Sequence, residues 1–198
     1  MEAWQAADID RRRFKFFCDA SVIKCHEAVQ TWLAGVAILA DVTDLPERTT
    51  RYFEDYVPGL TMDCGTVTIS EPEIIAFAKE YDPQPFHVDP VGAVNGPFGG
   101  LIASGWHTIS LTMRLLVEHW ISSESSLGAA GVDEVRWPNP VRPGDTLHVT
   151  ASVLEARRSK SRPDRGIMRS QVEVTNQAGD PVLRLTAINF ILTRNPAE

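Results

Sequence analysis

The segment LIASGWHTISLTMRLLVEHW, residues 101–120, predicts the central element of the fold. It is about twenty residues long and apolar on most of its sides, a pattern typical of a helix that the rest of a protein encloses. The turn formers of VNGPFGG, residues 94–100, mark a loop before it. The sequence therefore predicts one buried central helix.

The segments downstream of this helix alternate between apolar and polar residues, which is typical of half-buried strands. Residues 131–159 predict a strand, a proline-glycine turn at 142–145 and a long second strand. Residues 166–194 predict two more strands around a turn at 176–180. One helix followed by long antiparallel strands indicates an α+β fold.

A second helix is predicted upstream, after a short strand at residues 64–70. Ser70 and Glu73 have the spacing of a capping box, which opens a helix. Pro83 ends that helix, because the residue before a proline disfavours the α conformation.

Composition narrows the possible functions. The 198 residues carry a net charge of -7, which argues against general nucleic-acid binding. Three cysteines are too few and scattered for a disulfide framework, which suits the cytoplasm. No run of about 18 apolar residues occurs, so no membrane span is expected.

The first 49 residues precede the domain that is predicted at residues 50–198. We expect them to form a helical or poorly ordered extension of unknown role. A secretion signal is disfavoured, because charged residues separate its basic and apolar parts. Cys18, Cys25 and His26 suggest a metal, but no second ligand pair with zinc-like spacing follows them. No metal site is therefore predicted.

The segment YDPQPFHVDP, residues 81–90, holds a candidate acid–base pair. Pro83 and Pro85 stiffen the backbone between Asp82 and His87. An imidazole is a base near neutral pH, and a carboxylic acid of raised pKa can donate a proton. A solvated loop is the alternative. The segment FGGLIASGWHT, residues 98–108, places a glycine-containing turn at the start of the central helix, and the unpaired N–H groups there suit an oxygen that gains negative charge.

Three motifs resemble the MaoC-like dehydratases, which include the (R)-specific enoyl-CoA hydratases. They are DPQPFHVD at residues 82–89, FGGLIASG at 98–105 and VRWPNPVRPGDTL at 135–147. The resemblance covers about residues 50–194. It implies a hotdog fold, in which a curved antiparallel sheet wraps the central helix, and a homodimer or dimer of dimers.

The resemblance also implies reversible syn hydration of trans-2-enoyl-CoA to (R)-3-hydroxyacyl-CoA. Asp82 and His87 would hold one water, with His87 as the base and Asp82 as the donor. The Gly105 amide would bind the thioester oxygen. No cofactor is implied, because coenzyme A is part of the substrate.

The substrate-binding residues carried over by this resemblance begin with Gln84, which stands where the family has Asn, and Phe86, which stands in an aliphatic place. Ser104 occupies a place where many relatives carry His. The other candidates are Phe98, Trp106 and His107. For His107, a helix histidine that is packed or hydrogen-bonded without chemistry is the favoured alternative.

A basic cluster, RRSKSRPDRG at residues 157–166, stands out on this acidic chain. Arg157, Arg162 and Arg165 are candidates to bind the phosphates of coenzyme A. The alternative is a solvated hairpin tip.

Two further functions remain open. A thioesterase on the same fold would direct water at the thioester carbon. A hotdog module could instead bind acyl-CoA without turnover, although the intact Asp82/His87 pair argues against it.

Overall fold

A computed structural model describes residues 50–195 of the chain. The predicted N-terminal extension, with Cys18, Cys25 and His26, lies outside these residues. Between residues 50 and 195, no helix has the length and apolar character needed to cross a membrane.

Eight main elements follow one another along the chain. They are β1 (Thr61–Thr68), α1 (Glu71–Tyr81), α2 (Pro85–Val88), α3 (Gly105–His119), β2 (Ser126–Arg136), β3 (Thr146–Arg158), β4 (Arg165–Thr175) and β5 (Pro181–Leu192).

The five strands form one sheet in the order β1-β3-β4-β5-β2. Every neighbouring pair is antiparallel. Alternate residues of β4 are buried along its length, as the period of two predicted, and they form the core with α3. The predicted α+β hotdog fold is confirmed.

The structure corrects three details of the sequence analysis. The central helix begins at Gly105 rather than at residue 101, because the Ile102 and Ala103 N–H groups donate to the Phe86 and Val141 carbonyls. The predicted stiff loop contains the helical turn α2. Strand β2 begins earlier than predicted, at Ser126.

The central helix is enclosed on one face only within this single chain. Thr112, Leu115 and Leu116 are buried on that face. Trp106 and Met113 are 61% and 45% exposed on the other. The expectation that the rest of the chain covers most sides of the helix is therefore wrong for one chain by itself.

Candidate active site

Helix α1 places Asp82 at the start of the site. The predicted capping box is confirmed: the Glu73 N–H donates to Ser70 Oγ over 3.4 Å, and the Ser70 N–H donates to Glu73 Oε2 over 2.8 Å. At the other end, the Asp82 N–H donates to the Ala78 carbonyl, so Asp82 caps the last turn. The cap fixes the backbone from which the Asp82 carboxylate projects.

Helix α2 presents His87 to that carboxylate. The imidazole is buried, and its Nδ1 lies 2.8 Å from the Ile102 carbonyl oxygen. A carbonyl can only accept, so Nδ1 carries the hydrogen and donates. The other nitrogen, Nε2, lies 3.3 Å from Asp82 Oδ2. In the neutral ring Nε2 is therefore an acceptor that faces a second acceptor.

Two side chains hold the Asp82 carboxylate. Ser104 Oγ donates to Oδ2 over 2.7 Å, and Gln84 Nε2 donates to Oδ1 over 2.8 Å. The bond from Ser104 contributes most to lowering the pKa of Asp82 below its ordinary value, followed by Gln84 and the charge of His87. The raised pKa expected for a proton-donating Asp82 is wrong for the free site. Asp82 is a carboxylate at neutral pH.

Ser104 links this carboxylate to helix α3. It is the N-cap residue and is fully buried, and its Oγ accepts from the Trp106 N–H over 3.2 Å. The same hydroxyl donates to Asp82, so it gives its only hydrogen to the carboxylate while its lone pair caps the helix.

Replacing Ser104 with Ala is expected to raise the pKa of Asp82, because it removes the bond that lowers that pKa most. A carboxyl group whose pKa is lowered in the folded protein stabilises the fold at pH values above its ordinary pKa. This contribution is lost as the pH falls through the pKa of the folded state. Ser104→Ala should therefore lose less stability than the wild type when the pH is lowered through the pKa of Asp82. Carboxyl ¹³C NMR measures the pKa, and the Asp82 signal is assigned by its loss in Asp82→Asn.

Ser70→Ala is the matched control for this variant. It removes the N-cap of α1 at a similar cost of about 1 kcal/mol, while the Asp82 pKa should stay at the wild-type value. An Asp82 pKa that is the same in Ser104→Ala and wild type would contradict the assigned role.

Gly105 opens helix α3 beside the pair. Its N–H belongs to the first turn, where no intrahelical acceptor is available, and no hydrogen bond from it to another residue of the 50–195 range occurs. It lies at the positive end of the helix dipole. The predicted oxyanion donor is thus available on the wall of the cleft that holds Asp82 and His87.

That cleft has a volume of about 420 Å³. Seven predicted site residues line it: Asp82, Gln84, Phe86, His87, Phe98, Gly105 and Trp106. The eighth, Ser104, lies behind the surface and contacts Asp82. Aromatic contacts order the wall, since the Phe86 ring meets both His87 and Phe98 edge-on.

His107 is not brought into this cleft. Its ring stacks on Phe77 of α1 with centroids 4.5 Å apart, and it is buried. Burial lowers the pKa of His107, so the ring is neutral. The structural interpretation of His107 fits this position.

The basic hairpin also lies away from the cleft of its own chain. Arg165 pairs with Leu192 in the register of β4 and β5, whereas Val182, which lines the cleft, is near the start of β5. At about 3.3 Å per residue the two ends are roughly 33 Å apart. Arg165 forms a salt bridge with Asp164, with 2.7 Å between Nη2 and Oδ2. Arg157 and Arg162 belong to the same hairpin and do not line the cleft.

Nine residues that line the cleft were not predicted from the sequence. They are Ile102, Ala103, Thr108, Trp137, Pro138, Asn139, Pro140, Val141 and Val182. A signal was available for residues 137–141, because they form the centre of the third motif, where two prolines flank an asparagine.

Comparisons with known proteins identify the family of the chain. A family described as "MaoC like domain" matches residues 57–177. The solved structure of a MaoC-like dehydratase from Rhodospirillum rubrum is 44% identical, with a TM-score of 0.69, over 73% of this chain and 99% of that one.

Two curated relatives are named as dehydratases. The 3-hydroxybutyryl-CoA dehydratase of Methylorubrum extorquens is 31% identical over 70% of this chain and 82% of that protein. The 3-hydroxyacyl-thioester dehydratase Z of Mycobacterium tuberculosis is 38% identical over 44% of this chain and 60% of that protein. With the family match and the site geometry, these findings lead to one conclusion: the chain belongs to the MaoC-like dehydratases, a family of lyases.

Proposed function

We propose that the chain hydrates trans-2-enoyl-CoA thioesters to (R)-3-hydroxyacyl-CoA thioesters and catalyses the reverse dehydration. The observation that carries this proposal is the 3.3 Å approach of His87 Nε2 to Asp82 Oδ2 in a cleft that also holds the free Gly105 N–H. The dehydratase names of the two curated relatives support it.

The pair is arranged to hold one water. With its hydrogen on Nδ1, the His87 ring presents Nε2 as an acceptor beside the Asp82 carboxylate, so a water can donate one hydrogen to each. His87 Nε2 takes a proton as the water oxygen bonds to C3 of the enoyl group. The electron pair of the double bond moves toward the thioester oxygen, where the Gly105 N–H stabilises the negative charge.

The second half of the reaction returns a proton to C2. In the tautomer with hydrogen on Nδ1, Nε2 has no proton to give at the start, so the proton delivered to C2 is one that the water supplied. The Asp82 carboxylate stabilises the imidazolium between the two steps. This revises the division of roles expected from the sequence.

The lining of the cleft favours an uncharged acyl chain. None of the described residues that line it is Lys or Arg, and most are apolar or aromatic. A carboxylate on the acyl chain would lose its hydration without gaining a partner, which is costly.

The decisive experiment follows the absorbance of the enoyl double bond with crotonyl-CoA and a longer enoyl-CoA, while free thiol is recorded in parallel. Loss of absorbance without thiol release, giving the (R) product on chiral analysis, is the expected result. Thiol release would replace the proposal with a thioesterase. Acyl-CoA that raises the melting temperature without turnover would replace it with a binding module.

We further propose that a second copy of the chain covers the open face of α3 and the β2 edge of the sheet. Strand β2 lies at the end of the strand order, so one row of its backbone groups is unpaired. Leu127 and Val132 on β2 are 39% and 50% exposed, next in chain order to a helix that exposes Trp106 and Met113. Exposed large apolar side chains on both elements support their burial by a protein partner.

Val132→Arg is expected to convert the dimer to a monomer, because it places a charge at the core of the interface. Sedimentation velocity measures the change. Val91→Arg is the control, since Val91 is 81% exposed and lies outside β2 and α3. A wild type that sediments as a monomer would contradict the proposal.

Two expectations from the sequence remain predictions. One is that the basic hairpin binds the phosphates of coenzyme A through Arg157, Arg162 and Arg165. Such binding would require the hairpin to reach the cleft of another chain. The other is a cytoplasmic location, with which the free, buried Cys64 is compatible.

A further inference from the structure

We propose that Trp137 is a positioning residue of the oxyanion site: its indole clamps the first residue of α3 and requires that residue to be glycine. The inference rests on the proposed function, in which the Gly105 N–H binds the thioester oxygen. Trp137 directly follows β2, and 32 residues separate it from Gly105 in the sequence.

The indole contacts Gly105 in two ways. Its Nε1–H donates to the Gly105 carbonyl over 3.2 Å. Its ring edge also occupies the space that a side chain would need, since a Cβ at position 105 would lie 2.6 Å from Cε2 and 2.8 Å from Nε1. Real Cβ atoms essentially never come this close to another heavy atom, so any larger residue at 105 must displace the ring or the helix.

The segment that carries the indole is itself anchored. Asn139 Nδ2 donates to the Pro181 carbonyl over 2.8 Å, and the Val141 carbonyl accepts from the Ala103 N–H over 2.8 Å. Pro138 and Pro140 fix two further backbone angles. Trp137 is therefore held on a short, stiff β2–β3 connection that is hydrogen-bonded to the residues just before α3.

The first turn of α3 is thus held from two sides. Ser104 ties it to the Asp82 carboxylate, and Trp137 ties it to the β2–β3 connection. An oxyanion donor is effective only if it is held in place before the charge develops. The indole restrains Gly105 through the carbonyl of that residue, so the Gly105 N–H is held in place but stays available to the thioester oxygen.

The kinetic test compares Trp137→Ala, Trp137→Phe and Phe98→Ala with wild type on crotonyl-CoA. Trp137→Ala should lower kcat about tenfold to a hundredfold, more than it changes KM, because the loss falls on the transition state. Trp137→Phe, which keeps an aromatic wall but lacks the Nε1–H, should lower kcat less. Phe98→Ala, a cleft aromatic that does not contact Gly105, should mainly raise KM.

A double-mutant cycle gives a readout that does not depend on turnover. Gly105→Ala alone should lower the melting temperature by about 5 °C or more through overpacking. The same substitution in the Trp137→Ala background should cost much less, because the ring that the new Cβ meets is gone. Coupling of this sign supports the clamp.

Additive melting temperatures would overturn the clamp, and a wild-type kcat in Trp137→Ala would overturn the positioning role. A wild type that hydrates no enoyl thioester would instead remove the proposed function. The double-mutant cycle would then test by itself whether Trp137 fixes Gly105. Coupled changes in melting temperature would support this contact, and additive changes would contradict it.

Discussion

His87→Ala and Asp82→Asn should each lower the rate of enoyl thioester hydration by about 10²–10⁴-fold. His87→Ala removes the acceptor for the water proton. Asp82→Asn replaces an anion with a neutral amide, so the water loses one acceptor and the imidazolium loses its stabilising charge. Steady-state loss of the enoyl absorbance measures both, with circular dichroism to verify folding.

The chain supplies a matched control pair. His148 Nε2 lies 2.9 Å from Asp63 Oδ1, but these side chains are 42% and 69% exposed on the sheet and neither lines the cleft. His148→Ala and Asp63→Asn should leave the hydration rate unchanged. The double variant of Asp82 and His87 should lose little more than either single variant, because groups that act on one water are not additive. Activity above a tenth of wild type in His87→Ala would remove His87 from the mechanism.

Trp120→Ala should lower the free energy of unfolding by about 3–5 kcal/mol. Trp120 lies at the C-cap of α3 and is 1% exposed. Its ring packs edge-on against Tyr56 with centroids 5.4 Å apart, and the Tyr56 hydroxyl donates to its carbonyl over 2.7 Å. Truncation leaves a cavity where the helix meets the segment before β1, and a loss of this size is a large part of the stability of a typical domain.

Trp106→Ala is the control for this prediction, since it changes the same residue type at the other end of the same helix. Trp106 is 61% exposed, so its truncation should change the free energy of unfolding of a single chain by less than about 1 kcal/mol. Urea unfolding measures both variants in the Val132→Arg background, in which each chain is expected to be a monomer. Equal losses would show that burial in this core does not determine the stability of the domain.

Local patterns predicted much of the fold. The spacing of Ser70 and Glu73 located the start of α1, and the period of two in β4 identified its buried face, because both signals depend on residues close together in the chain. The start of α3 was misplaced because residues 101–104 continue the apolar pattern. Their backbone instead bonds to Phe86 and Val141, partners that no local pattern reveals.

Only part of the cleft lining could be predicted from the sequence, and its arrangement could not. The proline-stiffened segment from Asp82 to His87 indicated an acid and a base near each other, and the three motifs indicated the family. The pKa of Asp82 was predicted in the wrong direction, because its main hydrogen bond comes from Ser104, 22 residues downstream. The contact of Trp137 with Gly105 is a tertiary packing detail of the same kind.

The short ribbon from Ile102 to Gly105 has a consequence for attempts to redesign this protein. Its first carbonyl orients His87, its serine holds Asp82, and its last N–H is the proposed oxyanion donor. A shift of this ribbon would change the base, the carboxylate and the donor together, so none of them can be adjusted alone from within it. Changes in acyl-chain preference are better sought at Phe98, which lines the cleft outside this segment, so that a new side chain can reshape the cleft without moving residues 102–105.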